Sequence, residues 1–295
     1  MTRGEWKTLG VGLAFISPWI VGFLVFTLYP IFMSVYYSVC DYDVLSTPVY
    51  VGALNYTDMW SDEVYWKALR NSIYFAAVSL PLCLVVSLLL AVMLNNKVWF
   101  RPAFRTFFYL PSLVPMIATA MIWLWIFNGG FGLLNYGLSF LGIKGPEWLA
   151  DQHWTKPAII LTSIWGVGGS MVIYLAALQD VSRELYESAE IDGATPWHKL
   201  WHITLPMISP VIYFNLIMGI IGSLQVFGVP YIMFGNGSGP NRSAMFYATY
   251  IYENAFRYNQ MGYASAMAWI LFLIILGLTW VATKASRRHI YYAGE

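Results

Sequence analysis

The chain has 295 residues, 59% of them hydrophobic and only 11% charged, with a mean hydropathy of +0.59. A soluble globular chain carries about 25% charged residues, so this composition marks a polytopic membrane protein. A formal net charge of +1 offers no broad basic surface for nucleic acid, and Cys40 and Cys83 have neither metal-ligand spacing nor a persuasive disulfide arrangement, so packing accounts for them.

In chain order, residues 8 to 40 carry no charge, enough for a spanning helix and an end. Arg3 and Lys7 ahead of this run resemble a signal-peptide start, but the run is too long and no small-residue cleavage site follows. An uncleaved first span over 9 to 36 is expected, with Pro30 kinking it or lying near its outer end. A loop over 41 to 66 sets Asp41, Asp43, Asp58, Asp62 and Glu63 among tyrosines and tryptophans that suit a membrane surface. Span two is expected over 70 to 94, with Asn71 and Pro81 as irregularities. Span three, over 105 to 127, contains Pro111 and Pro115 and ends in interfacial Trp123 and Trp125. The apolar segment 131 to 143 is too short to cross and reads as an interfacial helix. Span four, over 157 to 178, holds Gly166, Gly168, Gly169 and Ser170, small residues that permit close helix approach. Span five is expected over 206 to 229. A Gly/Pro-rich loop, GNGSGPNRS, leads to span six over 260 to 283, whose start is again small (Gly262, Ala264, Ser265, Ala266, Ala268).

Between spans four and five lies the one strongly polar stretch, SRELYESAEIDGATPWHKLWHITLP, Ser182 to Pro206. Ser182 is a helix N-cap, with Glu184 and Glu187 near the positive end of the helix dipole. Asp192-Gly193 reads as a stop, and Thr195-Pro196 as a second start. The result is an elbow over 182 to 205, fused through its second arm to span five.

Six spans put both termini on the side of the elbow. That side carries ten cations, Arg3, Lys7, Lys97, Arg101, Arg105, Arg183, Lys199, Lys284, Arg287 and Arg288. The other carries six, Lys67, Arg70, Lys144, Lys156, Arg242 and Arg257. The positive-inside rule then makes elbow and termini cytoplasmic. The chain has no G-x-x-x-x-G-K-[ST] phosphate loop, and GNGSGPNRS lacks its lysine and strand-helix setting, so an ATPase activity is not expected.

Glu187-Ser188-Ala189, Gly193, Ile203 and Leu205-Pro206 resemble the EAA motif of permease subunits of binding-protein-dependent ABC importers. That motif reads Glu-Ala-Ala, three residues, Gly, nine residues, Ile, one residue, Leu-Pro. Ser188 in place of the first Ala is the one departure, and it is also small. ISPWIVGFLVFTLYPIFMSVYYS, RTFFYLPSLVP, WGVGGSMVIYLAALQ and MGYASAMAWILFLI extend the likeness over nearly the whole chain, toward the first permease of the pair in the carbohydrate-uptake branch.

The resemblance implies an all-α membrane protein of one permease domain over 1 to 295, with six transmembrane helices in the type I ABC importer permease fold and a coupling-helix elbow. It implies a bacterial plasma (inner) membrane location, a second homologous permease, two cytoplasmic ATPase subunits holding ATP and Mg, and an external solute-binding protein. This chain itself would bind no cofactor. The cargo implied is a sugar or oligosaccharide. Glu187, Ser188, Ala189, Asp192, Gly193, Leu205 and Pro206 are the expected coupling residues, with Glu187 pairing an ATPase arginine and Asp192 able to fix the turn.

Polar groups inside spans often line a path. Asn71, Trp165, Ser170, Asn215, Gln225 and Phe227 are candidates for the solute, with Ser223 beside them, and Gln225 leads because the family's comparable span contributes near that level. His198, His202 and His289 do not make a metal-binding pattern. The rival function is a secondary transporter or channel for a small polar solute. Such proteins place charge pairs inside spans, and spans two, four and six contain none.

Overall fold

The computed structural model describes residues 3–96, 99–235 and 238–287. Lys97, Arg288, His289 and the loop residues Asn236 and Gly237 lie outside this set, as do the side chains of Arg3 and Lys7.

Helix α1 (Arg3–Phe23) passes through a π turn (Leu24–Leu28) into α2 (Tyr29–Ser38). The π turn stands directly ahead of Tyr29-Pro30. Its wider ring carries the Tyr29 N–H to the Leu24 carbonyl and absorbs the mismatch that proline's missing donor and bulky ring create. Pro30 thus lies in a continuous apolar helix from Gly10 to Ser38. A two-stranded antiparallel hairpin follows, β1 (Cys40–Asp41) with β2 (Val49–Tyr50), then α3 (Leu54–Ser61). Helix α4 (Glu63–Asn95) starts seven residues ahead of the expected span and runs through Pro81.

The next two expected spans are each broken. Helices α5 (Arg101–Leu113) and α6 (Met116–Ile126) meet at 100°, because Pro115 disfavours helical backbone at Val114, which is extended. After the short α7 (Leu133–Ser139), α8 (Thr155–Trp165) and α9 (Gly168–Asp180) meet at 44° across Gly166-Val167. The elbow consists of α10 (Arg183–Ile191), α11 (Pro196–Lys199), a second π turn (Leu200–Thr204) and α12 (Leu205–Met207). This π turn again immediately precedes an X-Pro pair, Leu205-Pro206. The fifth span is α13 (Ser209–Leu224) and α14 (Gly228–Met233), unwound at Gln225–Phe227. A 3-10 turn (Pro240–Arg242), α15 (Tyr247–Tyr252), a third π turn (Glu253–Arg257) and α16 (Met261–Ser286) complete the chain.

Four helices are long and apolar enough to cross a membrane alone, and counting each bent pair as one broken span gives six. Their apolar side chains are widely exposed, Phe15 at 83% and Phe26 at 81% among them. Where the solvent is lipid, such exposure carries no penalty.

The chain divides into two compact units. In the first, residues 1–62 and 251–272, the Asn55 side chain donates to the carbonyls of Ser38 and Cys40, and Trp269 donates to Ser34 Oγ. The Gly262 N–H donates to the Tyr42 carbonyl, and Tyr263 donates to Asp62.

The second unit is residues 63–250 and 273–295, and three apolar clusters lie in it among the described residues. One joins Ala91 and Leu94 of α4, Met171, Tyr174, Leu175 and Leu178 of α9, and Ile208 just after α12. Gly168 is required where α9 starts. A β-carbon there would collide with the Phe108 carbonyl and Tyr109 Cα of α5, whereas Gly166 and Gly169 face no such backbone contact. Of the small residues in this stretch, one therefore sets the helix approach.

Candidate functional site

The elbow is built by local chemistry. Ser182 Oγ accepts the Glu184 N–H, and Thr195 Oγ1 accepts the His198 N–H, so each arm has its own N-cap. Between them the first arm ends in a Schellman motif. The Ala194 N–H donates to the Ala189 carbonyl at 2.8 Å, and the Gly193 N–H to the Glu190 carbonyl at 3.1 Å. This pattern demands left-handed backbone one residue past the cap, and Gly193 supplies it with φ +77°. The spacing from Ala189 to Gly193 is the spacing from acceptor to left-handed residue. Asp192 contributes its backbone as the C-cap, and its carboxylate makes no hydrogen bond among the described residues. Backbone, not that carboxylate, fixes the turn.

Two side-chain bonds brace the arms. Lys199 Nζ meets Glu190 Oε1 at 2.6 Å, and Tyr186 Oη lies 3.0 Å from Thr204 Oγ1, which itself bonds the Lys199 carbonyl. Tyr186, Ile203 and Met207 pack on the cluster of α4 and α9, seating the elbow on the helix ends. A cavity of about 570 Å³ separates the elbow from the Asn95 end of α4. Leu205 and Pro206 lie half-buried where the second arm enters span five.

What the elbow leaves outward is informative. Glu187 and Ser188 are exposed, and Glu187 has no ion pair among the described residues. Ile191 is 87% exposed and Trp197 66%, on an otherwise polar segment. Ala189 is half-buried. His198 and His202 stack with centroids 6.0 Å apart, but His198 Nδ1 bonds Thr195 and His202 Nδ1 donates to the His198 carbonyl. The sequence alone does not show the braces, because Glu190 and Lys199 stand nine positions apart and become neighbours only once the turn is known.

The candidate solute residues separate. Asn71 is a scaffold residue. It is 4% exposed, its amide donates to the carbonyls of Arg242 and Met245, and its Oδ1 accepts from Lys156 Nζ. Asn215 is also buried, and its amide folds back onto the Val211 carbonyl of its own helix. The polar atoms of Asn71 are thus committed to packing, whereas Asn215 bonds only through its Nδ2; polar residues within helical spans serve a packing role as readily as they line a path. Ser223 bonds back to Ile220 in the same way.

Gln225 and Phe227 stand together in the unwound stretch between α13 and α14, with Gln225 exposed and Phe227 stacked on Tyr231 at 5.0 Å. Trp165 ends α8 at the 44° bend and packs edge-on to Trp123. It lines a largely apolar cavity of about 540 Å³ with Pro111 and Val114, so the bends of α5/α6 and α8/α9 meet there. Ser170 is half-buried on α9.

The family described as "Binding-protein-dependent transport system inner membrane component" matches residues 68–290. The chain is 38% identical over 287 residues to the probable ABC transporter permease protein YesP of Bacillus subtilis, covering 96% of this chain and 93% of that protein. It is 34% identical to the lactose transport system permease protein LacF of Rhizobium radiobacter, covering 94% of each. Its fold matches a chain of the bacterial alginate ABC transporter, solved in complex with alginate pentasaccharide-bound periplasmic protein. That match has a TM-score of 0.82 and 26% identity and covers 97% of this chain and 96% of that one. The chain therefore belongs to the binding-protein-dependent ABC importer permeases, multi-pass inner-membrane transport components of the type I fold and not enzymes in their own right.

Proposed function

We propose that this chain forms half of the translocation pore of an ATP-driven saccharide importer and couples it to a cytoplasmic ATPase through the elbow. The observation that carries the coupling is the elbow itself. It is braced internally by Lys199–Glu190 and Tyr186–Thr204, yet it presents an unpaired Glu187 and an 87% exposed Ile191. A stiff lever with an apolar knob and a free carboxylate suits a cleft with an arginine in it. Closure of two ATPase subunits on ATP and Mg would then rock the attached helices.

On this reading the elbow and both termini are cytoplasmic, and a second homologous permease completes the pore. Two ATPase subunits sit below, and an external solute-binding protein delivers cargo. Relatives that transport lactose, arabinooligosaccharides, and trehalose and maltose support a sugar or oligosaccharide as the solute. Gln225 and Phe227 are the path residues best placed for it. An unwound mid-span segment frees backbone polar groups, Gln225 adds an amide, and Phe227 with Tyr231 adds ring faces.

The test is co-purification and ATP-dependent uptake with Glu187→Arg. ATPase recovery should fall at least tenfold while the chain still inserts beside its partner permease. Unchanged recovery and uptake would reject the pairing, and uptake by the isolated chain without ATP would favour a secondary transporter.

A further inference from the structure

The Glu63 end of α4 carries a second concave feature that the coupling account does not use. A cleft of about 820 Å³ lies between the first two turns of α4 and the 239–242 turn. Its walls bring together Lys67, Arg70 and Arg242 against a single carboxylate, Glu63, with Trp66 39% exposed beside them. The guanidinium groups of Arg70 and Arg242 have no hydrogen-bond or ion-pair partner among the described residues. Cations lining one cleft repel one another unless something anionic enters.

The turn that presents Arg242 is strained and held. Asn241 and Arg242 both take left-handed backbone, φ +47° and +54°, which asparagine tolerates but which is costly for the arginine. The amide of Asn71, steadied by Lys156, grips the Arg242 and Met245 carbonyls. The Asn241 side chain bridges Lys67 Nζ at 3.2 Å and Gln152 Oε1 at 2.7 Å. A loop under no demand would relax such a pair. Here buried hydrogen bonds keep Arg242 facing the cations of α4.

We propose that this cleft is a carboxylate-recognition site at the outer mouth of the pore, selecting acidic saccharides, those bearing uronate or similar anionic groups, over neutral ones. The inference rests on the saccharide-importer reading and narrows its substrate class. Planar guanidinium forks match a carboxylate in two-point geometry. An indole face beside them suits the C–H face of a sugar ring, and the volume lies within the usual small-molecule range of about 300–1,000 Å³. Cations that merely met lipid phosphates would need no concave wall and no strained turn.

The experiment uses the assembled importer, with its partner permease, ATPase subunits and binding protein, in proteoliposomes. The probes are a pool of uronate-containing di- to pentasaccharides and the same pool after carboxyl reduction, read by mass spectrometry of the lumen. The acidic pool should accumulate at least tenfold over the reduced one. That preference should shrink toward unity in Lys67→Gln/Arg70→Gln/Arg242→Gln and with added salt, and fall only partly in Arg70→Lys/Arg242→Lys, which keeps the charge but loses the two-point fork. An absent preference, or one unchanged in the triple glutamine variant, overturns the proposal and leaves the importer reading standing. Loss of both pools alike in that variant assigns the cleft to docking of the binding protein and also overturns it. Entry of neither pool into wild-type proteoliposomes defeats the saccharide reading itself, and this proposal with it.

Discussion

The two ends of α4 are built in opposite ways. Thirty-three residues of helix separate them, a rise of about 50 Å. At the Asn95 end, one ion pair, Lys199–Glu190, ties the elbow's arms, while Ile191, Trp197 and Glu187 are left outward. At the Glu63 end, an aromatic and three cations line a concavity, and the two guanidinium groups have no partner among the described residues. An element that transmits force needs internal ties and a surface for a partner to grip. One that captures a solute needs unsatisfied groups held where the solute arrives. On the proposed reading, a tie between the arms at one end and guanidinium groups without partners among the described residues at the other mark coupling and recognition more sharply than residue type does.

The elbow end should break most severely at Gly193→Val. A β-branched residue at φ +77° costs at least about 1–2 kcal/mol locally and reopens the Schellman bonds to Ala189 and Glu190. Solute-stimulated ATP hydrolysis and uptake should both fall more than tenfold in reconstituted complex; normal coupling would show that the turn is not needed.

At the other end, Asn71→Ala strips two buried carbonyls and Lys156 of their partner. The expected cost is about 1–3 kcal/mol, seen as faster hydrogen exchange confined to the 239–247 region. Unchanged exchange there would remove the scaffold argument.

A smaller effect is expected from Lys199→Ala. Glu190 is 65% exposed, so solvent screens the pair and its loss should cost no more than about 1 kcal/mol. Coupling should weaken by only a few fold, and full uncoupling would mean that the brace bears the load alone.

The smallest concerns a loop outside the spans. Hydrogen bonds to Asp43 from the backbone and side chain of Ser46, then from the Leu45 N–H, hold its carboxyl below the usual carboxylate range. A depressed folded pKa gives a contribution that is present at neutral pH and lost as pH falls through that lowered value. Exchange of the Leu45 and Ser46 amides, corrected for the intrinsic pH dependence, should therefore lose protection only in that acid range; loss near neutrality would contradict it.

The elbow was legible because its signals are local. An N-cap, a glycine stop and a Thr-Pro start lie within 15 residues and need no tertiary context. Span content was legible from charge-free runs. The breaks were harder to read: Pro115 was in plain view, but neither a 100° turn nor the passage of α4 through Pro81 follows from proline alone. What a helix does at proline depends on whether neighbours can satisfy the freed carbonyl. The π turns before Pro30 and Pro206 are one such answer. Asn71 and Asn215 read as path residues because polarity inside a span has two uses. The structure shows the packing use for Asn71, through Arg242, Met245 and Lys156. The cation cleft joins residues about 170 apart in sequence, beyond the reach of any local pattern.

The measurement that bears most directly on the central claim is site-specific cross-linking from the elbow. Ile191→Cys, in a chain with Cys40 and Cys83 replaced by alanine, should be treated with a short thiol-reactive cross-linker in membranes holding the whole importer. A covalent product with the ATPase subunit, lost when Gly193→Val is added, is the predicted result. A product with the external binding protein, or none with the ATPase under conditions where uptake is intact, would contradict the account.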